Sequence, residues 1–171
     1  MIRSDMSMQW LLARAPGFND LTAEERNAIV DFSLLWSLFE ARILNNAGNA
    51  KSIRTAVVRW YEAGTLQAEA YDGQLAYFRQ RYFANGAFTY HFDHLHLRPN
   101  DQVPLVRSVI DGSNNDPCCR IATVLIVILR YRNNLFHGMK WQYELAGQLD
   151  NFTNANNALM TALEHHGRLQ V

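Results

Sequence analysis

The sequence predicts an all-α fold, an up-and-down bundle of about five to six helices. Apolar residues recur at spacings of three and four along several segments, and Gly, Asn, Asp and Pro separate those segments. No convincing pair of segments shows the alternation typical of β-strands. A chain of 171 residues, 49% of them hydrophobic, is long enough for one substantial core. We therefore expect a single helical domain over residues 1–171.

The first helix of the bundle is predicted to start at Thr22, because Thr22 and Glu25 have the spacing of a capping box. Residues 1–20 are interpreted as an N-terminal extension. The apolar face of the helix comprises Ile29, Phe32, Leu35, Trp36, Phe39 and Ile43. Asn and Gly in residues 45–48 are expected to end it. Two further helices are predicted over residues 50–62 and 67–83, each closed by a nearby glycine.

The second half of the chain begins with an irregular insertion, residues 87–100, where either a long loop or a short strand is expected. A short helix should cover residues 101–109. Asp116 can cap the longest apolar helix, with Pro117 at its first position, and this helix should run to about His137. The last helix is predicted over residues 142–166.

Composition excludes several classes of protein. Sixteen basic residues balance sixteen acidic ones, so any site for a polyanion must be local. Cys118 and Cys119 are neighbours, which disfavours a disulfide and favours a reducing, cytoplasmic location. The N-terminus lacks the apolar core of a signal peptide, and the most apolar run, residues 121–129, is shorter than the roughly 20 residues that cross a bilayer. No membrane association is expected.

The longest predicted helix changes from apolar to polar near its C-terminal end. Residues 117–143 contain no acidic residue, and their cations are Arg120, Arg130, Arg132 and Lys140. This local charge suits a phosphate group. Cations at a helix C-terminus also stabilise the helix dipole by roughly 0.3–1 kcal/mol each, but that explanation does not account for the interleaved Asn133, Asn134 and His137. With about 100° of rotation per residue, Arg132 and His137 point about 140° apart, so either the helix end unwinds or two copies of it meet.

Residues 132–138, Arg-Asn-Asn-Leu-Phe-His-Gly, resemble the R-x4-H signature of HEPN domains, and are closest to the ApeA-like branch. Tyr131 before the segment and Lys140 after it extend the likeness, and residues 31–40 resemble the first core helix of that branch. The resemblance implies a metal-independent endoribonuclease that acts as a homodimer, without a cofactor, as a toxin or an antiphage defence effector. It also implies an RNA substrate and an antitoxin or sensor protein as a partner.

The resemblance also implies roles for individual residues. His137 would transfer a proton to or from the ribose 2′-hydroxyl or the leaving oxygen. Arg132 would neutralise the scissile phosphate, and Asn133 would orient His137 or donate to phosphate. The residues expected to bind RNA phosphate around them are Arg130, Asn134 and Lys140. Glu40 is expected either to support Arg132 or to lie exposed in solvent.

Several other interpretations remain open in the sequence. His91, Asp93, His94 and His96 are metal-ligand residue types without a standard ligand spacing, and we expect a loop there in preference to a metal site. Met139 stands where related toxins often carry a tyrosine that accepts a nucleotide, so that regulation is not expected. The main rival function is a non-catalytic HEPN-like module that binds RNA, nucleotide or a partner protein. A purely structural scaffold is the third hypothesis.

Overall fold

Helices form most of the regular structure, as predicted. The computed structural model describes residues 3–138, 141 and 145–169. Within these residues the helices are α1 (Arg3–Arg14), α2 (Ala23–Ile43), α3 (Ala50–Glu62), α4 (Asp72–Tyr82), α5 (Tyr90–Asp93), α6 (Val103–Ile110), α7 (Pro117–Phe136) and α8 (Leu149–His166). Short 3-10 turns lie at Phe18–Asp20 and Ala68–Tyr71, and strands β1 (Phe83–Ala84) and β2 (Ala87–Phe88) form an antiparallel hairpin. The all-α prediction is confirmed.

The predicted capping box is present at the start of α2. The Thr22 hydroxyl accepts the Glu25 backbone N–H at 3.1 Å, and the Thr22 N–H donates to the Glu25 carboxylate at 2.8 Å. The other Glu25 oxygen accepts the Gly147 N–H at 2.6 Å. This buried carboxylate therefore joins the start of α2 to the segment that precedes α8.

Helix α7 occupies the centre of the molecule. Every residue from Ile121 to Tyr131 is buried, and helices α3, α4, α6 and α8 contact it. The Asp116 side chain accepts the Cys119 N–H at 2.9 Å, which confirms the predicted N-cap. A helix that is apolar on all sides is stabilised only by complete enclosure. Both end turns of α7 emerge from the core, and the C-terminal one carries the polar residues of interest.

A buried group of polar side chains fixes α7 immediately before that last turn. The Tyr131 hydroxyl contacts the Tyr82 hydroxyl of α4 and donates to Asn151 Oδ1 of α8 at 3.2 Å. The Tyr77 hydroxyl donates to the same Asn151 oxygen at 2.7 Å. Buried polar groups with several partners hold one arrangement, so the helix end that follows Tyr131 has a defined orientation.

The irregular insertion contains more structure than the sequence indicated. Residues predicted as one helix, 67–83, form a 3-10 turn followed by α4 and then β1. Strand β2 and the one-turn helix α5 follow, within residues expected to be a loop or strand. The hairpin pairs Phe83 with Phe88, whose rings are 5.2 Å apart. The pairing of these two aromatic residues favours the hairpin over continuation of α4.

The two ends of the chain also differ from the prediction. The stretch interpreted as an extension contains α1, whose Leu11 and Leu12 pack in a small second apolar cluster with Phe18, Leu21 and Leu145. The last helix begins at Leu149, whereas the predicted start at residues 142–144 lies outside the described residues.

None of the described helices combines the length and the apolar character needed to cross a bilayer.

Candidate functional site

Arg132 lines an open cavity of about 270 Å³ between the end of α7 and one side of α2. Helix α2 contributes Ser33, Trp36, Ser37 and Glu40, the following turn contributes Asn46, and α7 contributes Phe136. The α2 residues are spaced by three and four, which places them on one helix face. A water molecule takes about 30 Å³ in the liquid, so the cavity can admit a phosphate group together with water.

The Arg132 guanidinium is held in place yet incompletely satisfied. Its Nη1 donates to Asn133 Oδ1 at 3.0 Å. The Cζ atom of Arg132 lies 5.5 Å from the centroid of the Phe136 ring. Its Nε is buried without a hydrogen-bond partner, and no ion pair to Arg132 occurs within the described residues. Leaving a buried donor unsatisfied costs roughly 1–3 kcal/mol.

Glu40 forms the opposite wall of this cavity. The Trp36 indole N–H donates to Glu40 Oε2 at 2.7 Å. A Cβ atom added at Gly48 would lie 2.6 Å from Glu40 Oε1, so any larger residue at position 48 would displace the carboxylate. Glu40 is half-buried and faces the same space as Arg132. The structure thus brings together two of the residues that the sequence singled out.

His137 occupies a different environment from Arg132. It is the C-cap of α7, where its backbone N–H donates to the Asn133 carbonyl at 2.9 Å. Gly138 follows with φ 77°, a left-handed conformation that ends the helix as predicted. The His137 side chain is exposed and is not among the residues that line the Arg132 cavity. Among the described residues, the guanidinium and the imidazole therefore lie at the same helix end, and only the guanidinium lines this cavity.

The structure corrects the expected place of Arg130 and Asn134. Arg130 is only 2% exposed and Asn134 only 3%. The Arg130 Nε donates to the Leu95 carbonyl at 3.1 Å, its Nη1 lies 3.3 Å from the Asp101 carboxylate, and its Nη2 donates to Asn134 Oδ1 at 3.3 Å. Asn134 donates to the same Leu95 carbonyl at 3.2 Å. The two buried side chains therefore connect the loop after α5 to α7 and are not exposed to solvent.

Burial also acts on the charge of Arg130. Desolvation lowers the pKa of its guanidinium, and the nearby Asp101 carboxylate opposes that shift. A buried cation with a buried anionic partner is typical of a structural ion pair. We therefore interpret Arg130 as a residue that stabilises the fold.

The remaining predicted residues have separate outcomes. Asn133 is half-buried and accepts from Arg132, so it positions the guanidinium and not the imidazole in this conformation. Lys140 lies outside the described residues, as does Met139. The arrangement supports a site built on Arg132, Asn133 and Glu40, with His137 beside it.

Comparison with protein-family models, curated proteins and solved structures finds no match. The functional inference for this chain therefore depends on its own residues.

An apolar stripe on α2 was missed in the sequence. Val30, Leu34 and Leu38 are spaced by four and are 55%, 67% and 39% exposed. They alternate along α2 with Ser33 and Ser37 of the Arg132 cavity, and Phe136 beside that cavity is 56% exposed. These three residues lie in a row outside the apolar face of α2 that the three- and four-residue spacing predicts to be buried. Such a row beside a polar cavity is typical of a surface that contacts protein.

Two alternative sites receive little support. Within the part of the chain that the structure describes, no group of three or more His, Cys, Asp or Glu side chains could hold a metal ion. Cys118 and Cys119 are partly buried free thiols, and desolvation raises the pKa of both. A raised pKa disfavours the thiolate, which is the reactive form.

Proposed function

We propose that this chain is a metal-independent endoribonuclease of the HEPN type, active as a homodimer with a composite site. The observation that carries the proposal is the Arg132 guanidinium, which borders an open cavity and has no ion-pair partner among the described residues. The exposed His137 at the same helix end and the HEPN-like segment 132–138 support it. In this role the protein would act in the cytoplasm as a toxin or antiphage effector, under the control of an antitoxin or sensor protein.

The proposed reaction is attack of the ribose 2′-oxygen on the adjacent phosphorus. The new O2′–P bond forms as the P–O5′ bond breaks, which leaves a 2′,3′-cyclic phosphate and a 5′-hydroxyl. One imidazole accepts the 2′-hydroxyl proton or supplies a proton to the 5′-oxygen, since histidine exchanges protons near neutral pH, and water makes the other of these two transfers. The guanidinium of Arg132 neutralises charge that develops on the non-bridging oxygens through its planar fork of donors.

A homodimer would bring a histidine to the Arg132 cavity although His137 of the same chain does not line it. A two-fold partner can place its own exposed His137 opposite the Arg132 cavity, because a symmetric contact repeats each pairing twice. The exposed stripe Val30, Leu34 and Leu38, together with Phe136, provides apolar surface next to that cavity. Complete burial of one such side chain contributes about 1.5–3 kcal/mol, so the stripe supports a stable pair.

One observation favours the rival function, a non-catalytic module that binds RNA, nucleotide or a partner protein. The Arg132 cavity contains the Glu40 carboxylate as well as the guanidinium. A carboxylate accepts hydrogen bonds from ribose hydroxyls or base amino groups but repels phosphate. Glu40 therefore suits a nucleoside contact as well as the support of Arg132.

Cleavage of RNA in EDTA by the purified protein separates the two functions. Wild type should release fragments with 2′,3′-cyclic phosphate ends, whereas Arg132→Ala and His137→Ala should lose at least about a hundredfold in rate. Arg14→Ala and His165→Ala are matched controls, since both side chains are exposed and distant in sequence from α7. Binding of RNA by a dimeric wild type that never cleaves it would favour the module.

A further inference from the structure

We propose that α3 carries a second RNA-binding surface, a row of cations that holds the backbone of the strand leading away from the Arg132 cavity. This inference rests on the proposed function, because it assigns the substrate a path. We name this surface the α3 cation row and define it as Lys51, Arg54 and Arg59.

The row lies between two open cavities of about 400 and 370 Å³. Lys51, Thr55 and Arg59 line both cavities, and their spacing of four puts them on one face of α3. Arg54 extends the row on the side where its Nη1 donates to Gln102 Oε1 at 3.2 Å. With a rise of 1.5 Å per residue, the row is about 12 Å long, enough to face several phosphates.

The cations of the row lack acidic partners. No ion pair to Lys51, Arg54 or Arg59 occurs within the described residues. Glu62 is the acidic residue that lines one of the two cavities, at the C-terminal end of α3. Three cations against one carboxylate form a positive strip on a protein whose net charge is zero. Such a strip attracts a polymer of phosphates.

Stabilisation of the helix does not explain the row. Arg59 is in the last turn of α3, where a cation favours the helix dipole. Lys51, however, is the second residue of α3, and a cation there is disfavoured by the same dipole. Stabilisation of the helix therefore accounts for Arg59 but not for Lys51, whereas a role in binding phosphate accounts for both.

The turn between α2 and α3 connects the row to the Arg132 cavity. Asn46 lines the Arg132 cavity, while Asn45, Ala47 and Asn49 of the same turn line the cavity beside Lys51. Asn45 and Asn46 adopt left-handed conformations, with φ of 49° and 62°. A strand with one phosphate at Arg132 meets this polar turn first and the α3 cation row next.

The test measures binding of 2′-O-methyl RNA, which cannot be cleaved because its 2′-oxygen is blocked. Fluorescence anisotropy is recorded over a range of salt concentrations with labelled strands of ~4 and ~20 nucleotides. The variant Lys51→Gln/Arg59→Gln is compared with Arg14→Gln/Arg168→Gln, which removes the same charge from exposed residues elsewhere. Thermal unfolding confirms that both double variants are folded.

Lys51→Gln/Arg59→Gln should bind the long strand about tenfold more weakly than wild type does. The slope of the logarithm of the binding constant against the logarithm of the salt concentration should be shallower by about 1.4, because two phosphate contacts are lost. The short strand should bind as it does to wild type, and the control pair should change neither affinity by more than about twofold. Unchanged binding of the long strand, or an equal loss in the control pair, would overturn the α3 cation row. If wild type cleaves no unmodified RNA but the length-dependent loss persists, the ribonuclease proposal fails and the α3 cation row stands.

Discussion

The Trp36 indole donates a hydrogen bond of 2.7 Å to the Glu40 carboxylate, on the cavity wall that faces Arg132. This bond occupies one carboxylate oxygen, and Gly48 packs against the other. The carboxylate is therefore held by its own helix and the following turn. Among the described residues the carboxylate makes no ion pair with Arg132, whose Nη1 donates to Asn133 instead.

Glu40→Gln should strengthen phosphate binding. Glutamine keeps an oxygen that accepts the Trp36 indole N–H but removes a negative charge from the cavity. Affinity for RNA should rise about threefold, the effect of roughly 0.7 kcal/mol at a partly solvated site. Anisotropy titrations measure this, with Glu164→Gln on α8 as the control for a lost exposed carboxylate. Equal effects of the two substitutions would mean that phosphate does not enter the cavity.

Mixing two inactive variants should restore activity if the site is shared between protomers. In a heterodimer of Arg132→Ala and His137→Ala, one of the two composite sites contains both native side chains. Random exchange should then recover about a quarter of wild-type specific activity. Cleavage is measured after the two purified proteins are unfolded together and refolded. Recovery of none would place Arg132 and His137 of one protomer in the same site.

Leu34→Glu should dissociate the proposed homodimer. Leu34 is the most exposed residue of the α2 stripe, so a charge there does not disturb the core but would be buried in the interface. The dimer dissociation constant should rise more than tenfold, and cleavage should fall in parallel at low protein concentration. Sedimentation velocity measures the association. Met160→Glu, on the exposed side of α8, is the matched control and should leave the dimer intact.

The sequence predicted features that depend on neighbouring residues. The caps at Thr22 and Asp116 join residues three apart, so their chemistry is visible in a short window. The burial of Arg130 was not visible, because its partners Leu95 and Asp101 come from a loop about 30 residues earlier. A helical wheel places Arg130 and Asn134 on one face but does not say whether that face meets solvent.

The cavity at Arg132 illustrates the same limit. The sequence singled out Arg132 and Glu40, but their proximity depends on how α2 and α7 pack. The exposed stripe on α2 could have been found, since the spacing of Val30, Leu34 and Leu38 is regular. Which of the two apolar rows of α2 faces the core is decided by the packing of α8 against it.

Arg130→Ala should destabilise the fold without the loss of RNA contact expected for Arg132→Ala. The substitution leaves Asp101 buried without its ionic partner, which costs about 3–5 kcal/mol. Urea unfolding measures that loss. At a temperature where the variant is still folded, its affinity for RNA should match wild type within about twofold. A large loss of affinity in folded protein would instead restore the sequence-based expectation that Arg130 binds phosphate.

Mild acid should weaken the fold through His166. Its ring stacks on Trp60, with centroids 3.8 Å apart and an interplanar angle of 5°, and its Nε2 is buried without a hydrogen-bond partner. Burial, together with the nearby His165, lowers the pKa of His166 from 6.5 to about 4. Between these values the unfolded chain binds a proton that the folded chain does not, so the free energy of unfolding falls as the pH decreases from 6.5 towards 4.

The loss should be about 1 kcal/mol, less than the full shift implies because the ring is partly exposed to solvent. Urea unfolding at several pH values measures this loss of unfolding free energy. The variant His166→Phe distinguishes the contribution of His166 from that of carboxylates that titrate in the same pH range. Phenylalanine keeps a flat ring on Trp60 but takes up no proton, so the variant should lose less stability than wild type over the same range. His165→Phe removes only the smaller, electrostatic cause of the shift and should keep most of the pH dependence, because burial is the larger cause. If wild type and His166→Phe lose stability equally, the buried imidazole is not the group that titrates.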